Sequence, residues 1–237
     1  MEVLAGEPKF EVIHKEGSSK FTFDIRKVYW CSRLQSERDR ILKKLKKNEV
    51  LCDAFCGVGP LSIRAAKNGV KVLANDLNPS CYEFLNFNIE KNKIKNDMIT
   101  SFNMDAREFI KTCVDQSKNF PDEEKNFDKK FPQDIKLNHF YMNLPKDALE
   151  FLDVFRGLFK NTKKSIYSKD NLPYVHVYGF SNAKDPKEDL YGRIAKAFGI
   201  EKFEDNMVED FCNVRDVSTK KHVFCISFRI PPEVAYQ

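Results

Sequence analysis

Two aspartates and a glycine turn carry the most legible chemistry in this sequence. Asp53 ends the apolar run Val50-Leu51-Cys52, the turn Gly57-Val58-Gly59 follows at once, and Asp76 follows a second apolar run, Val70 to Ala74. Between them Leu61, Ile63, Ala65 and Ala66 supply the apolar residues of a helix. Strand, glycine turn, helix, strand and acid make a nucleotide-binding half-unit. The glycines let the backbone turn sharply and approach a ligand, and the second acid can accept a hydrogen bond from a ribose hydroxyl. A glycine turn alone also arises for conformational reasons, so the specificity lies in the whole unit. A dinucleotide fingerprint needs a third glycine where Ser62 stands, and the sequence has no Gly-Lys-Ser/Thr phosphate loop. An adenosine-containing ligand without a pyrophosphate suits what remains, and S-adenosylmethionine is the candidate cofactor.

Other polar residues sit where chemistry could use them. Asn143-Leu144-Pro145 follows the apolar run His139-Phe140-Tyr141-Met142, which sets a carboxamide at the carboxyl edge of a sheet, where open α/β sheets bind ligands. The competing reading is a turn residue ahead of a proline. Asp105 follows the strand Ile99 to Asn103, at a usual position for a group over an adenine or its amine. Glu37 follows an N-cap candidate, Ser36, in an amphipathic helix running into Ile41, Leu42 and Leu45. By spacing alone Glu37 reads as compensation of the helix dipole. His14 has no His or Cys at metal-ligand spacing and reads as an exposed strand residue; His176 alternates within its strand and reads as structural.

The elements that must position these groups alternate along the chain. Phe10–His14 and Phe21–Ile25 pattern as strands around Glu16-Gly17-Ser18-Ser19, with Val28-Tyr29-Trp30 a candidate third, so residues 1–30 form a β lead-in. Helices are expected over Cys81–Asn92, with Asn78 as N-cap, and over Arg107–Val114, Leu149–Phe159 and Pro186–Phe198. Further strands are expected over Tyr174–Phe180 and 222–230, the latter preceded by a polar segment, Asn213–Val217. Residues 115–138 are polar with two prolines and read as an insertion. The alternation predicts an α/β fold with a mostly parallel, doubly wound sheet over residues 31–237.

Composition bounds the function without naming it. A chain of 237 residues accommodates one buried α/β domain and an appendage. A formal net charge of +5, with 40 Lys and Arg, permits a polyanionic partner without demanding one. No apolar run approaches a membrane span, and the N-terminus lacks a signal-peptide core. The seven cysteines form no CxxC pair, and an odd count argues against a disulfide framework, which favours a reducing compartment.

Taken together, Arg33, Glu37, DAFCGVGP, NDLNP and NLP make the chain resemble the archaeal and eukaryotic tRNA (guanine-37-N1) methyltransferases, the eukaryotic branch above all. The match runs from LAGEP through FDIRKVYWCSRLQSER and MNLP to NVRDV and CISFRIP. The resemblance implies a Rossmann-like class I methyltransferase domain over 31–237, with S-adenosylmethionine at the strand ends and the methyl passing to N1 of guanosine 37 in the anticodon loop. It makes Glu37 the general base, Asn143 the asparagine beside the target guanine, and Asp76 the ribose-binding acid. Asp53, Phe55, Gly57, Val58, Gly59, Leu77, Asp105 and Ala106 fall with Asn143 in the implied cofactor pocket. Arg33 matches a motif arginine that either contacts RNA or holds local structure, and Pro145, Lys146 and Arg215 are candidate RNA contacts, with solvated surface charge the competing reading for the two cations. No metal is implied, the partner is tRNA, the chain is a monomer by analogy, and its place is the cytoplasm, with the nucleus and mitochondrion also considered.

Departures from the family pattern set further expectations. The family's N-terminal RNA-binding domain has no room here, and its catalytic arginine upstream of LAGE has no counterpart, since only Met1, Glu2 and Val3 precede Leu4. Cofactor binding is expected to survive this, while tRNA affinity and turnover are in question. Ser32 and Thr219 stand where prolines are usual. One alternative is an aminocarboxypropyl transferase of the wybutosine pathway, against which Glu37 and Asn143-Leu144-Pro145 weigh. The other is a module that binds cofactor or RNA without turnover, against which the retention of Glu37 and Asn143 weighs.

Overall fold

Glu11–Glu16 (β1) and Ser19–Asp24 (β2) form an antiparallel hairpin that closes at Gly17, whose φ of 59° suits glycine. The computed structural model describes Val3 and residues 5–115, 135–163, 166–218 and 221–237. Most of the expected insertion, residues 116–134, and Thr219 lie outside the described residues. The chain falls into two compact units, Met1–Asp105 and Ala106–Gln237.

In the first unit the hairpin is followed by α1 (Gln35–Leu42), β3 (Val50–Asp53), α2 (Pro60–Lys67), β4 (Lys71–Asn75), α3 (Pro79–Lys91) and β5 (Ile99–Phe102). The strands run parallel in the order β5-β4-β3, with Cys52 opposite Leu73 and Leu73 opposite Thr100. Every residue of β3 is buried, as the continuous apolar run of a parallel strand requires. Asn78 caps α3 as expected, its side chain accepting from the Ser80 N–H ahead of Pro79 in the first turn.

Polar groups lock the hairpin to the helices. The Glu16 carboxylate, fully buried, accepts from Arg38 Nε and Nη2 at 2.8 and 2.5 Å and from Arg64 Nη1 at 2.6 Å. Arg64 also donates to Asp39. One carboxylate therefore joins β1 to α1 and α2. On α3, Asn88 exchanges hydrogen bonds with Thr22 N and O at 2.8 and 3.1 Å, and Asn92 with Lys20 N and O at 3.1 and 2.7 Å. Four helical residues rise about 6 Å and two strand residues about 6.6 Å, so the two amides meet alternate residues of β2.

Three local expectations for this unit are corrected. Val28-Tyr29-Trp30 forms no strand: the Asp24 carboxylate accepts from Arg26 N at 2.9 Å to hold a turn, and Trp30 folds back to stack on Phe23 with ring centroids 4.6 Å apart. Ser36 lies inside α1 rather than capping it, because a 3-10 turn over Ser32–Leu34 runs directly into the helix. His14 is half-buried, with its ring 5.0 Å from that of Trp30.

The second unit contains α4 (Ala106–Val114), β6 (His139–Met142), a 3-10 helix over Glu150–Phe155, β7 (Tyr174–Ser181), α5 (Pro186–Phe198), β8 (Val208–Ser218), β9 (Lys221–Arg229) and α6 (Pro232–Ala235). The strand order is β6-β7-β9-β8, parallel between β6 and β7 and antiparallel for the other pairs. The expected α/β class is the one observed, with parallel pairing throughout the first unit's main strands and a small N-terminal antiparallel sheet. His176 is structural: its ring bridges His139 Nδ1 at 3.1 Å and Ser227 Oγ at 2.8 Å. No helix among the described residues is long and apolar enough to cross a membrane.

Two expectations for this unit are also corrected. Leu149–Phe159 is a short 3-10 helix followed by turns, because Gly157 turns left-handed at φ 64° and the backbone then bonds elsewhere. Gly157 N donates to Val234 O at 2.8 Å and Phe159 N to Ala235 O at 3.0 Å, while the Arg156 guanidinium takes the last carbonyls of α5, Lys196 and Ala197. Of the residues expected in the core of that helix, Leu152, Phe155 and Phe159 are buried, while Phe151 and Leu158 are only half-buried. The polar stretch Asn213–Val217 belongs to a strand, β8, which pairs with β9 through several register shifts.

Replacing Glu16 by alanine leaves Arg38, whose side chain is 5% exposed, as an uncompensated buried charge. The expected cost is about 3–5 kcal/mol, read as a lowered midpoint in urea unfolding; a loss under about 1 kcal/mol, the worth of a surface pair, would show that the network is no anchor.

Candidate cofactor and catalytic site

Parallel pairing brings the carboxyl ends of β3 and β4 to one edge, with Asp53 opposite Ala74. The turn beyond β3 is bonded to the end of β4. Cys56 N donates to Asn75 O at 2.8 Å, and Gly57 N donates to Asp76 Oδ2 at 2.8 Å. Asp76 Oδ1 accepts from Asn78 N at 2.9 Å, so the carboxylate is fixed from both sides. Gly57 and Gly59 have φ of 56° and 88°, the left-handed region that glycine enters without penalty. At Gly59 a Cβ would also stand 2.6 Å from Leu85 Cδ1, whereas at Gly57 it would meet nothing within 4 Å. Backbone contact with a ligand is therefore open at Gly57.

Two amides that the sequence reading passed over complete this rim. Asn75 Nδ2 donates to Ala54 O at 3.2 Å and Met104 O at 3.0 Å, and Asn75 Oδ1 accepts from Met104 N at 3.1 Å. Asn103 Nδ2 donates to Asp76 O at 2.7 Å and Leu77 O at 3.0 Å. The ends of β3, β4 and β5 are laced together by side chains, and Asp105 stands exposed just beyond Met104. The signal for Asn75 was its place between a buried strand and Asp76, a polar residue where the strand should still be apolar.

The electrostatics of the rim are set by burial. Asp53 is buried, its Oδ2 accepts from Ser62 Oγ at 2.6 Å, and its Oδ1 has no hydrogen-bond partner. Desolvation pushes the Asp53 carboxyl up to about 7 against the opposing Ser62 bond, and the nearby Asp76 adds to the rise. Desolvation also raises Asp76, held back by the Asn78 and Gly57 N–H groups. Burial, then the Asp76 charge, pushes the Cys81 thiol up to about 12, and burial raises Cys56 well above the usual thiol range. Phe55 is half-buried and Val58 buried, while Leu77 stands 68% exposed beside Asp76.

Glu37 lies in the first turn of α1, as dipole compensation requires, but it is neither exposed nor loosely held. Its side chain is 4% exposed and takes a two-pronged ion pair from Arg40, with Nε to Oε2 at 2.7 Å and Nη2 to Oε1 at 2.7 Å. Arg33 is exposed on the preceding 3-10 turn. In the second unit Ala106 is buried at the start of α4. Asn143 follows β6, half-buried, and donates from Nδ2 to Tyr141 Oη at 2.9 Å. Pro145 O accepts from Phe180 N at 3.2 Å, Lys146 is exposed, and Arg215 is half-buried on β8 opposite Val223. The structure thus joins the glycine turn to Asp76 through a hydrogen bond, ties Asp53 to Ser62 of the following helix, and groups Asn143, Pro145 and Lys146 in one loop.

The donor set of the rim fits a cationic adenosine ligand. A buried carboxylate oxygen without a partner suits an ammonium or a donor hydroxyl, and the free space above Gly57 suits a ligand that approaches the backbone. Residues 12–120 match the family model described as the TRM5/TYW2 methyltransferase domain. The chain is 41% identical over 236 residues to a tRNA (guanine(37)-N(1))-methyltransferase of Phytophthora infestans, covering 100% of this chain and 51% of that protein. Among solved structures, the Trm5b of Pyrococcus abyssi superposes with a TM-score of 0.70 at 30% identity, over 96% of this chain and 58% of that one. The Methanocaldococcus jannaschii Trm5 in complex with adenosine superposes with a TM-score of 0.67 at 29% identity, over 97% and 59%. The chain spans about half the length of the curated relatives it matches.

Two measurements check this rim. With its folded value near 7 and an unfolded value of about 3.9, Asp53 binds a proton in the fold that the unfolded chain has lost. Stability therefore falls as pH rises from about 4 to about 7. Asp53→Asn removes this component, so its Tm relative to wild type, without ligand, should rise between pH 5 and pH 8; an unchanged difference would refute the buried-acid account. Gly59→Ala should cost at least about 1–3 kcal/mol from the left-handed backbone and the approach to Leu85, while Gly57→Ala pays only the backbone part. Equal losses in thermal unfolding would contradict the packing difference.

Proposed function

We propose that this chain transfers a methyl group from S-adenosylmethionine to N1 of guanosine 37 in the tRNA anticodon loop. The observation that carries the reading is the whole-chain likeness to relatives named for that reaction, on a chain whose strand-end acids and buried Glu37 supply the chemistry it needs. When bound, S-adenosylmethionine supplies an electrophilic methyl group. Asp76, fixed by Gly57 and Asn78, accepts from the ribose hydroxyls, and Asp53 offers its unpaired oxygen to the ligand's cationic part. Phe55, Val58, Leu77 and Ala106 supply apolar contact, and Asp105 an acceptor for the adenine amine.

Guanine N1 carries a proton and becomes nucleophilic only as that proton leaves. Glu37 takes it, since a carboxylate within hydrogen-bond reach is a competent general base. Charge that develops on O6 is stabilised by a donor such as the Asn143 carboxamide. N1 is engaged in a paired base, so the substrate base must be unpaired and splayed out, as in an anticodon loop. Arg33, Pro145, Lys146 and Arg215 serve as RNA contacts, the cations through phosphates. The chain acts as a monomer, by analogy with the family it resembles, in a reducing compartment such as the cytoplasm, the latter supported by seven cysteines that form no disulfide.

The test is transfer of labelled methyl from S-adenosylmethionine to a tRNA transcript with guanosine at position 37, beside one with adenosine there. Only the guanosine transcript should be labelled, and Glu37→Gln should lower the rate by about 10²-fold or more with cofactor affinity unchanged. Labelling of both transcripts would overturn the target, and failure to bind the cofactor would overturn the reading of the glycine turn.

A further inference from the structure

The ion pair on Glu37 has a geometry that a loose surface pair lacks. Both carboxylate oxygens are engaged by one guanidinium, through Nε and Nη2, each at 2.7 Å. The planar guanidinium matches the planar carboxylate edge to edge, which fixes the orientation of the carboxylate as well as its distance. Each carboxylate oxygen has two lone pairs, so a fork that takes one from each leaves the others directed away from Arg40. The helix that carries both residues is itself held: Arg38 and Asp39, between them in sequence, are tied to Glu16 and Arg64. Glu37 is buried at 4% exposure and Arg40 is 26% exposed, so the pair sits at the protein's edge with its acidic end inward.

We infer that Arg40 is a positioning residue for methyl transfer, holding the Glu37 carboxylate in the one orientation from which it can accept the guanine N1 proton. The inference rests on the proposed role of Glu37 as general base. The proton leaves N1 for a Glu37 oxygen at a lone pair that Arg40 does not occupy, and Arg40 keeps its own charge and protons throughout. Arg40 touches neither substrate nor cofactor in this role. Without the fork, the three torsions of the Glu37 side chain lose that restraint, and misorientation of a reacting group by about 1 Å costs on the order of 10²-fold in rate.

Single-turnover methyl transfer at saturating cofactor, with the tRNA KM measured separately, distinguishes this role from a surface ion pair. Arg40→Ala should lower the single-turnover rate by about 10- to 100-fold while tRNA KM and cofactor affinity stay within about twofold. Arg40→Lys, which keeps the charge and loses the fork, should recover only part of the rate. The double variant Glu37→Gln with Arg40→Ala should be no slower than Glu37→Gln alone, because the arginine acts through the carboxylate. A wild-type rate in Arg40→Ala, a loss confined to KM, or losses that multiply in the double variant would overturn the inference. If Glu37→Gln keeps the wild-type rate, the reading of Glu37 fails instead. The pairing has a readout that needs no turnover: the Arg40 Nε–H resonance should move and exchange faster in Glu37→Gln, and an unmoved signal would overturn the geometry.

Discussion

The first unit depends on a single buried carboxylate. Glu16 sits at the end of β1 and accepts from arginines on two different helices, one of which, Arg38, would otherwise be a charge in a dry interior. An isolated buried pair is weak evidence for stability, because desolvation offsets much of the attraction. Its effect here is on placement. A hydrophobic contact between hairpin and helix would tolerate sliding, whereas a two-pronged bond to Arg38 fixes where α1 lies along its axis and how it is rotated. Glu37, the preceding residue on α1, shares the placement that this bond gives the helix.

Amide side chains do for the rest of the unit what Glu16 does for α1. Asn88 and Asn92 read the backbone of β2 as a neighbouring strand would, and Asn75 and Asn103 bind the loops beyond β3, β4 and β5 into one rim. Each satisfies backbone groups that would otherwise be buried or left to solvent. A rim built this way is rigid before any ligand arrives, which reduces the ordering that binding must impose.

The sequence was informative wherever the cause of structure was local. β3, α2 and β4 follow from a short apolar run, a glycine turn and a helical period, and α5 spans the expected Pro186–Phe198 because Asp185 caps it and Gly199 ends it. Where the cause was a distant partner, the reading failed. Val28-Tyr29-Trp30 looks like a strand until Phe23 offers its ring, and Leu149–Phe159 looks like a helix until α6 takes its backbone donors. β8 is polar because β9 pairs on its other side with β7, which leaves Phe211 to reach the rings of Tyr191 and Phe224. In the site, the acids and glycines were legible as types at a spacing. The burial of Glu37 and its pairing with Arg40 were not, since nothing in the spacing of Ser36, Glu37 and Arg40 tells a solvated first turn from one anchored through its neighbour.

The thiols beneath the rim have a bearing on chemical compatibility. Cys56 lies in the glycine turn and Cys81 beside Asp76, both among groups proposed to hold an alkylating cofactor. A thiolate is a better nucleophile than guanine, and beside a sulfonium it would invite self-alkylation. Burial and the Asp76 charge keep both sulfurs protonated. The acid proposed to orient the ligand would thus also protect the protein from the reagent it carries.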